Sequence, residues 1–221
     1  MDADGSNAIR LTNNSFADEY PMCSPNGKKI LFSTNREGPW KLYVMDTDGS
    51  NQVSLGITTS DDPNDPCRAA WSPRGSRIAF VVTRDRNREI YLANADGSHP
   101  SRLAKGNYPR WSPDGKKIAF SNERNLYVIN VDGSNLKKLT DIKEDEEWVD
   151  FPSWSRNGTR LFFVQQFQER GEIYSMRIDG SDKKKITHTP GGKFYPMVSP
   201  DSSSVVYVSG KMLYQVSVGT L

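Results

Sequence analysis

The chain has 221 residues, with 29 basic and 27 acidic side chains and a formal net charge of +2 at pH 7. This near balance of charge gives no strong overall electric field of the kind that attracts nucleic acid. The sequence also has no run of about 18 apolar residues, which is the length that a membrane-spanning helix needs. We therefore expect neither nucleic-acid binding nor membrane insertion, and the length allows one continuous hydrophobic core.

One ten-residue pattern occurs five times. It begins with Trp or a substitute, turns at Ser-Pro-Asp-Gly or a related sequence, and continues into an apolar run. A second pattern follows it, as in LYVMDTDGSNQVSL from Leu42, and the Asp-Gly-Ser glycines of this pattern are 44, 48, 36 and 47 residues apart. Such spacing indicates a repeated supersecondary unit. The first pattern reads CSPNGKKILF from Cys23, WSPRGSRIAF from Trp71, WSPDGKKIAF from Trp111, WSRNGTRLFF from Trp154 and VSPDSSSVVY from Val198.

Each unit is predicted to form four short strands. Apolar and polar residues alternate with period two, strand-forming Val, Ile, Tyr, Phe and Trp are frequent, and no long segment has a helical period. The Pro-Asp-Gly and Asp-Gly-Ser sequences favour tight turns between the strands. In the third unit the strands are YPRWS from Tyr108, KIAFS from Lys117, NLYVIN from Asn125 and LKKLT from Leu136.

Units of about 40–45 residues with four antiparallel strands are typical of β-propeller blades. The sequence therefore predicts an all-β, five-bladed propeller that forms a single domain over residues 1–221. An open solenoid is the alternative. Residues 1–12 look like the end of a unit, so we expect the N-terminal strand to complete the last blade and close the ring. The blades are expected at about 13–56, 57–104, 105–140, 141–187, and 188–221 with 1–12.

The Trp-Ser-Pro-Asp-Gly and Leu-Tyr-Val-x-Asp-x-Asp-Gly-Ser-Asn patterns resemble the WD-repeat-like blades of the TolB family, the propeller of the bacterial Tol-Pal system. Similar blades occur in prolyl-oligopeptidase-like and tricorn-like peptidases. The resemblance spans essentially the whole chain and implies the propeller fold. It also implies a periplasmic or otherwise exported location.

The loops predicted to share one rim of the propeller vary most in sequence, and such loops often form the binding face of a repeat protein. Trp40 and Trp148 lie in these loops and are candidate binding residues. Packing over a blade edge is the alternative for both. Arg84 and Arg86 belong to a basic run that could bind acidic groups, or that could be solvated or paired in salt bridges.

A second candidate surface lies three residues before each motif Trp or its substitute. One such residue per blade would place a mostly aromatic ring near the mouth of the central channel, where it could bind a peptide or small ligand. Packing between blades is the alternative. Arg110 precedes a motif Trp and could reach the same channel. The five residues of the ring are Tyr20, Arg68, Tyr108, Phe151 and Tyr195.

No cofactor or metal site is predicted. The Asp-x-Asp-Gly sequence at Asp46 lacks calcium ligands where Val44 and Leu55 stand, so it is interpreted as a hairpin turn. Cys23 and Cys67 are expected to be free and mostly buried thiols, with a disulfide as the alternative.

The leading functional hypothesis is a monomeric, non-catalytic propeller that binds a protein or peptide. The alternative is a propeller associated with an enzyme, either the gating domain of a prolyl-oligopeptidase-like peptidase or a carbohydrate-active propeller. The sequence shows no nucleophile elbow, and no carboxylate pair is singled out among its many acidic loop residues.

Overall fold

The structure is a computed structural model that describes residues 6–143, 147–168, 170–188, 191–199 and 201–218. Within these ranges every assigned element of regular secondary structure is a β-strand, and the strands form five antiparallel sheets. The same ranges contain no helix that is long and apolar enough to cross a membrane.

The first compact unit, Met1–Ser101, contains sheet 1 and the first three strands of sheet 2. In each sheet the strands follow one another in chain order, so each sheet is a meander. Sheet 1 consists of β1 (Asp18–Cys23), β2 (Lys29–Thr34), β3 (Trp40–Asp46) and β4 (Val53–Ser60). Sheet 2 consists of β5 (Ala69–Trp71), β6 (Arg77–Arg84), β7 (Asn87–Asn94) and β8 (Ser101–Lys105).

The second unit, Arg102–Leu221, contains three further meanders. Sheet 3 consists of β9 (Asn107–Trp111), β10 (Lys117–Asn122), β11 (Asn125–Asn130) and β12 (Lys137–Lys138). Sheet 4 consists of β13 (Glu147–Trp154), β14 (Arg160–Phe167), β15 (Arg170–Arg177) and β16 (Lys184–Lys185). Sheet 5 consists of β17 (Lys193–Val198), β18 (Ser204–Ser209) and β19 (Met212–Ser217).

The fold is an all-β, five-bladed β-propeller, as predicted. Four blades have four strands, and the described residues of the last blade form three. Residues 1–5 of the proposed N-terminal closing strand lie outside the described residues, and residues 6–12 form no assigned strand. Closure by this segment stays a prediction.

Apolar side chains of neighbouring blades pack against each other within each unit. In the first unit Leu31 and Leu42 of sheet 1 belong to one buried cluster with Phe80 of sheet 2. In the second unit Ile173 of sheet 4 and Val205 of sheet 5 share another. Burial of each such side chain contributes about 1.5–3 kcal/mol, so these blade faces are a main source of stability.

The two cysteines are free, but their environments differ. Cys67 is 4% exposed, and its thiol donates a hydrogen bond to the Val81 carbonyl oxygen at 3.2 Å. Residues of β1 alternate between half-buried and exposed, and Cys23 falls on the exposed side. The expectation of two mostly buried thiols is therefore right for Cys67 and wrong for Cys23.

This difference predicts one reactive thiol in the folded protein. Burial raises the pKa of the Cys67 thiol to about 12, so the reactive thiolate is scarce at neutral pH. We expect a water-soluble disulfide reagent at pH 8 to label Cys23 alone and to label Cys67 only after denaturant is added. Labelling of both cysteines in the folded chain at the same rate would contradict this assignment. The Cys23→Ser variant, which should show no labelling when folded, is the control.

Candidate functional site

Four of the five residues predicted to form the channel ring are aromatic residues that precede a proline. Each has a positive φ, between 50° and 57°, where a bulky side chain is rare. The pairing register with the next strand shifts at each of them, so each lies at a β-bulge. These residues are Tyr20, Tyr108, Phe151 and Tyr195.

The bulges have a local cause and a local cost. Proline cannot donate a ladder hydrogen bond, and it is tolerated here because the first strand of each sheet is an edge strand. A left-handed conformation at a residue other than glycine costs about 1–3 kcal/mol, and such strain is concentrated at functional sites. In the second blade Arg68 precedes Ala69 instead of proline, and β5 pairs with β6 without a register shift. The strained geometry therefore accompanies the aromatic-proline pair.

In the second unit the bulges bring three aromatic side chains from consecutive blades together. The ring centroids of Tyr108 and Phe151 are 4.3 Å apart, and those of Phe151 and Tyr195 are 4.5 Å apart. Phe151 is buried, whereas Tyr195 is 41% exposed. These three residues, called the aromatic cluster below, include one buried ring, that of Phe151, and one accessible ring, that of Tyr195.

In the first unit Tyr20 and Arg68 also contact each other. The Arg68 guanidinium carbon lies 5.0 Å from the centre of the Tyr20 ring, and Nη2 donates to the Tyr20 hydroxyl at 3.3 Å. Arg68 is also 3.5 Å from the carboxylate of Asp65. The side chain expected to offer a ligand a cation is thus already engaged by a phenol ring and a carboxylate.

Asp65 is the centre of this network and was not singled out from the sequence. It is 8% exposed, accepts a hydrogen bond from Thr83 at 2.7 Å, and forms a salt bridge with Arg88 at 2.9 Å. Burial raises the pKa of Asp65, but the hydrogen bonds from Arg88 and Thr83 and the charges of Arg88 and Arg68 outweigh it, so the pKa lies below its ordinary value. Three aspartates, Asp61, Asp62 and Asp65, stand within five positions in this loop, and no sequence signal distinguishes the buried one.

Two of the variable loops meet at a cavity of about 590 Å³. Arg84 is held there by bonds to the carbonyl oxygens of Thr59 and Thr58, at 3.3 and 3.2 Å. Arg86 is exposed at the tip of the β6–β7 hairpin, with a φ of 65°. The two loops therefore approach each other, and although both arginines are exposed, the Arg84 guanidinium is already bonded to backbone oxygens. The cavity is lined by Ser60, Asp61, Asp62, Asp65, Thr83, Arg84, Asp85, Arg86 and Arg88.

The two tryptophans of the variable loops occupy different environments. Trp40 is 1% exposed, and its indole nitrogen donates to the Pro63 carbonyl oxygen at 3.0 Å. This burial removes Trp40 from the candidate binding surface, because the ring is shielded from solvent and its polar atom is already bonded. Trp148 is half-buried on β13, opposite Gln166. Residues 144–147 form an acidic run just before Trp148, and residues 144–146 of it lie outside the described residues.

Arg110 follows the bulge of β9 and is half-buried. Its Nη1 donates to the Pro109 carbonyl oxygen at 3.2 Å. Desolvation lowers the pKa of its guanidinium from the ordinary value, whereas the nearby Tyr108 and Tyr195 act in the opposite direction. This places the charge of Arg110 within electrostatic reach of two members of the aromatic cluster.

Among the described residues no group of three or more His, Cys, Asp or Glu side chains could hold a metal ion. The Asp-Gly-Ser sequences instead form turns. In the first of them Asp48 accepts bonds from both the backbone nitrogen and the hydroxyl of Ser50, at 2.9 and 2.6 Å. These bonds also lower the pKa of the Asp48 carboxyl group.

The fold defines the class of protein, an all-β, five-bladed β-propeller. The chain belongs to the TolB beta propeller domain family, whose model matches residues 107–219, 113 of the 221 residues.

Three curated proteins are similar over about half of the chain. An uncharacterized protein of Agrobacterium fabrum, Atu1656, is 31% identical over 116 residues, which are 49% of this chain and 39% of that protein. A TolB homologue of Chlorobium luteolum is 30% identical over 107 residues, 47% of this chain and 23% of that protein. Dipeptidyl-peptidase 5 of Porphyromonas endodontalis is 28% identical over 108 residues, 44% of this chain and 15% of that enzyme. The matched segments are thus less than two-fifths of each relative.

Among solved structures, TolB from Acinetobacter baumannii has a TM-score of 0.77 and 18% sequence identity. The similarity covers 97% of this chain and 55% of that protein. At this identity the likeness supports the fold alone.

Proposed function

We propose that the chain is a non-catalytic module that binds a peptide or protein through the aromatic cluster of Tyr108, Phe151 and Tyr195. The observation that supports this proposal is that strained backbone and an exposed aromatic side chain occur at the same position. Three consecutive blades each hold an aromatic residue in a left-handed conformation, and the last of these, Tyr195, is 41% exposed beside Met197, which is 66% exposed. Aromatic residues with an accessible face are frequent anchors of protein interfaces.

A peptide is the favoured ligand because the cluster offers both apolar area and polar groups. The buried Phe151 ring supplies apolar area, and the two tyrosines carry hydroxyl groups that can donate or accept hydrogen bonds. Such a surface suits side chains presented by an extended segment.

We propose that the chain works as a monomer in an exported, periplasmic setting, in keeping with its family. Sedimentation of the chain and fractionation of the source cells would test these two points.

Selection of binders from a displayed library of random peptides tests the peptide proposal. We expect the Tyr195→Ala variant to bind the enriched peptides about 30-fold more weakly, since loss of an aromatic anchor costs about 2 kcal/mol or more. Tyr214→Ala is a matched control, because Tyr214 lies in the same blade and is 42% exposed. Equal binding by Tyr195→Ala and the unchanged chain would place the site elsewhere, and a library without binders would count against peptide binding.

A second candidate function is a propeller that accompanies a peptidase domain. It rests on the similarity to dipeptidyl-peptidase 5, of which the matched segment is 15%. Sequencing of the complete gene separates the two candidates, because a gating propeller requires a hydrolase domain in the same polypeptide. Absence of that domain would leave the binding module as the proposal.

A further inference from the structure

Arg110 introduces a charge at a repeat position that is otherwise uncharged. The residue directly before the motif Trp or its substitute is apolar or a small hydroxyl residue in the other four units. The structural equivalents of Arg110 in the next two blades, which are sheets 4 and 5, are Ser153 and Met197. Packing of this position therefore does not require a cation. The five residues at the position are Met22, Ala70, Arg110, Ser153 and Met197.

Arg110 also differs from the other shielded arginines in its partners. Arg36 is 2.9 Å from Asp18, and Arg160 is 2.6 Å from Asp182. Arg68 is 3.5 Å from a carboxylate as well. Over the described residues, Arg110 forms no salt bridge, and its guanidinium makes one hydrogen bond, to Pro109.

This arrangement leaves a positive charge without a carboxylate partner in a half-buried position. A guanidinium has five N–H groups and stays protonated, so in the part of the chain that the structure describes four of those groups in Arg110 have no protein acceptor. Partial burial removes part of the hydration of this ion, and nearby aromatic rings strengthen electrostatic interactions by lowering the local dielectric. An anion that reached this guanidinium would offset part of that lost hydration.

The shape of the group selects the class of anion. Guanidinium presents parallel N–H groups that match the two oxygens of a carboxylate, and such paired bonds are about twice as strong as neutral hydrogen bonds. We propose that Arg110 binds a carboxylate of the ligand that occupies the aromatic cluster, either an acidic side chain or a C-terminal carboxylate. This inference rests on the peptide-binding proposal and names the chemical group that the peptide must carry.

Three N-acetylated tripeptides test the inference and distinguish the two sources of carboxylate. Ala-Ala-Phe with a free C terminus carries the terminal carboxylate, amidated Ala-Glu-Phe carries an acidic side chain, and amidated Ala-Gln-Phe carries neither. Binding is followed by NMR of the arginine Nε–H signals, with each peptide raised to about 10 mM, which suits millimolar affinities. We expect at least one acidic peptide to bind about 10-fold more tightly than the neutral one and to shift the Arg110 signal.

Two variants complete the test. In Arg110→Gln the preference for acidic peptides should disappear, while Arg74→Gln, which removes an exposed arginine from the β5–β6 turn, should retain it. Thermal melting of each variant establishes that it is folded, and Arg110→Lys should keep a weaker preference. Equal binding of all three peptides to the unchanged chain would overturn the carboxylate assignment and leave aromatic binding intact. Binding of none of them would count against both proposals.

Discussion

Replacement of Asp65 by Asn is expected to lower the free energy of unfolding at pH 7 by about 3 kcal/mol. The carboxylate is 8% exposed and accepts bonds from Arg88 at 2.9 Å and Thr83 at 2.7 Å. Removal of one partner from a buried charge network typically costs about 3–5 kcal/mol, because the remaining charges lose their counter-charge. The lower end applies here, since Arg88 is 44% exposed and can return to water.

The effect should depend on pH in a defined direction. The folded pKa of Asp65 lies below its ordinary value, because its hydrogen bonds and the neighbouring arginines outweigh the effect of burial. A group with a depressed folded pKa contributes stability that is fully present above its unfolded pKa, about 3.9, and is lost as the pH falls through the folded value. The difference between Asp65→Asn and the unchanged chain should therefore shrink as the pH falls below about 4.

Asp61→Asn is the matched control for this experiment. Asp61 lines the same cavity, but its side chain is exposed. Its replacement should change stability by less than about 0.5 kcal/mol. Urea denaturation at pH 7 and at several lower pH values measures both variants. A loss for Asp65→Asn that is no larger than that for Asp61→Asn would show that the network contributes little to folding.

The repeat made most of the fold predictable. Strand β11 spans the residues expected from the alternation, Asn125–Asn130, because both of its faces and both of its edges lie in contact with protein. The outer strand of the same blade was expected over residues 136–140 and is limited to Lys137–Lys138. Water can satisfy the backbone of an outermost strand, so its length depends weakly on its sequence. The local pattern therefore predicts inner strands better than outer ones.

The candidate site was less predictable, because it depends on contacts between residues distant in sequence. The position of the ring residues follows from the repeat, but their conformation does not. A residue before proline is ordinarily extended, whereas Tyr195 has a φ of 52°. The salt bridge between Arg88 and Asp65 also could not be read from the chain, because several arginines and aspartates stand in these loops as possible partners. Tertiary packing selects one pair among them.

Alanine substitutions of four turn glycines are expected to lower stability in a fixed order. The glycines of the Asp-Gly-Ser turns share φ values of 85° to 88°, so alanine adds the same backbone strain, about 1–2 kcal/mol, at each. The nearest atom to an added Cβ is a backbone oxygen of a leucine, and its distance differs. It would be 2.4 Å from Leu55 at Gly97, 2.7 Å from Leu11 at Gly49 and 3.4 Å from Leu139 at Gly180, whereas at Gly133 no atom of the described residues lies within 4 Å.

The largest loss should therefore occur in Gly97→Ala, at about 3 kcal/mol or more, because the backbone of β4 must move away from the turn and disturb the packing between sheets 1 and 2. Gly133→Ala is the control and should lose about 1 kcal/mol from strain alone. For a chain of this size each kcal/mol lowers Tm by about 2–4 °C, so thermal melting separates the two variants. Equal losses would mean that strain alone determines the cost. A loss for Gly49→Ala as small as that of the control would mean that Leu11 is held loosely, and this would weaken the case for an N-terminal closing strand.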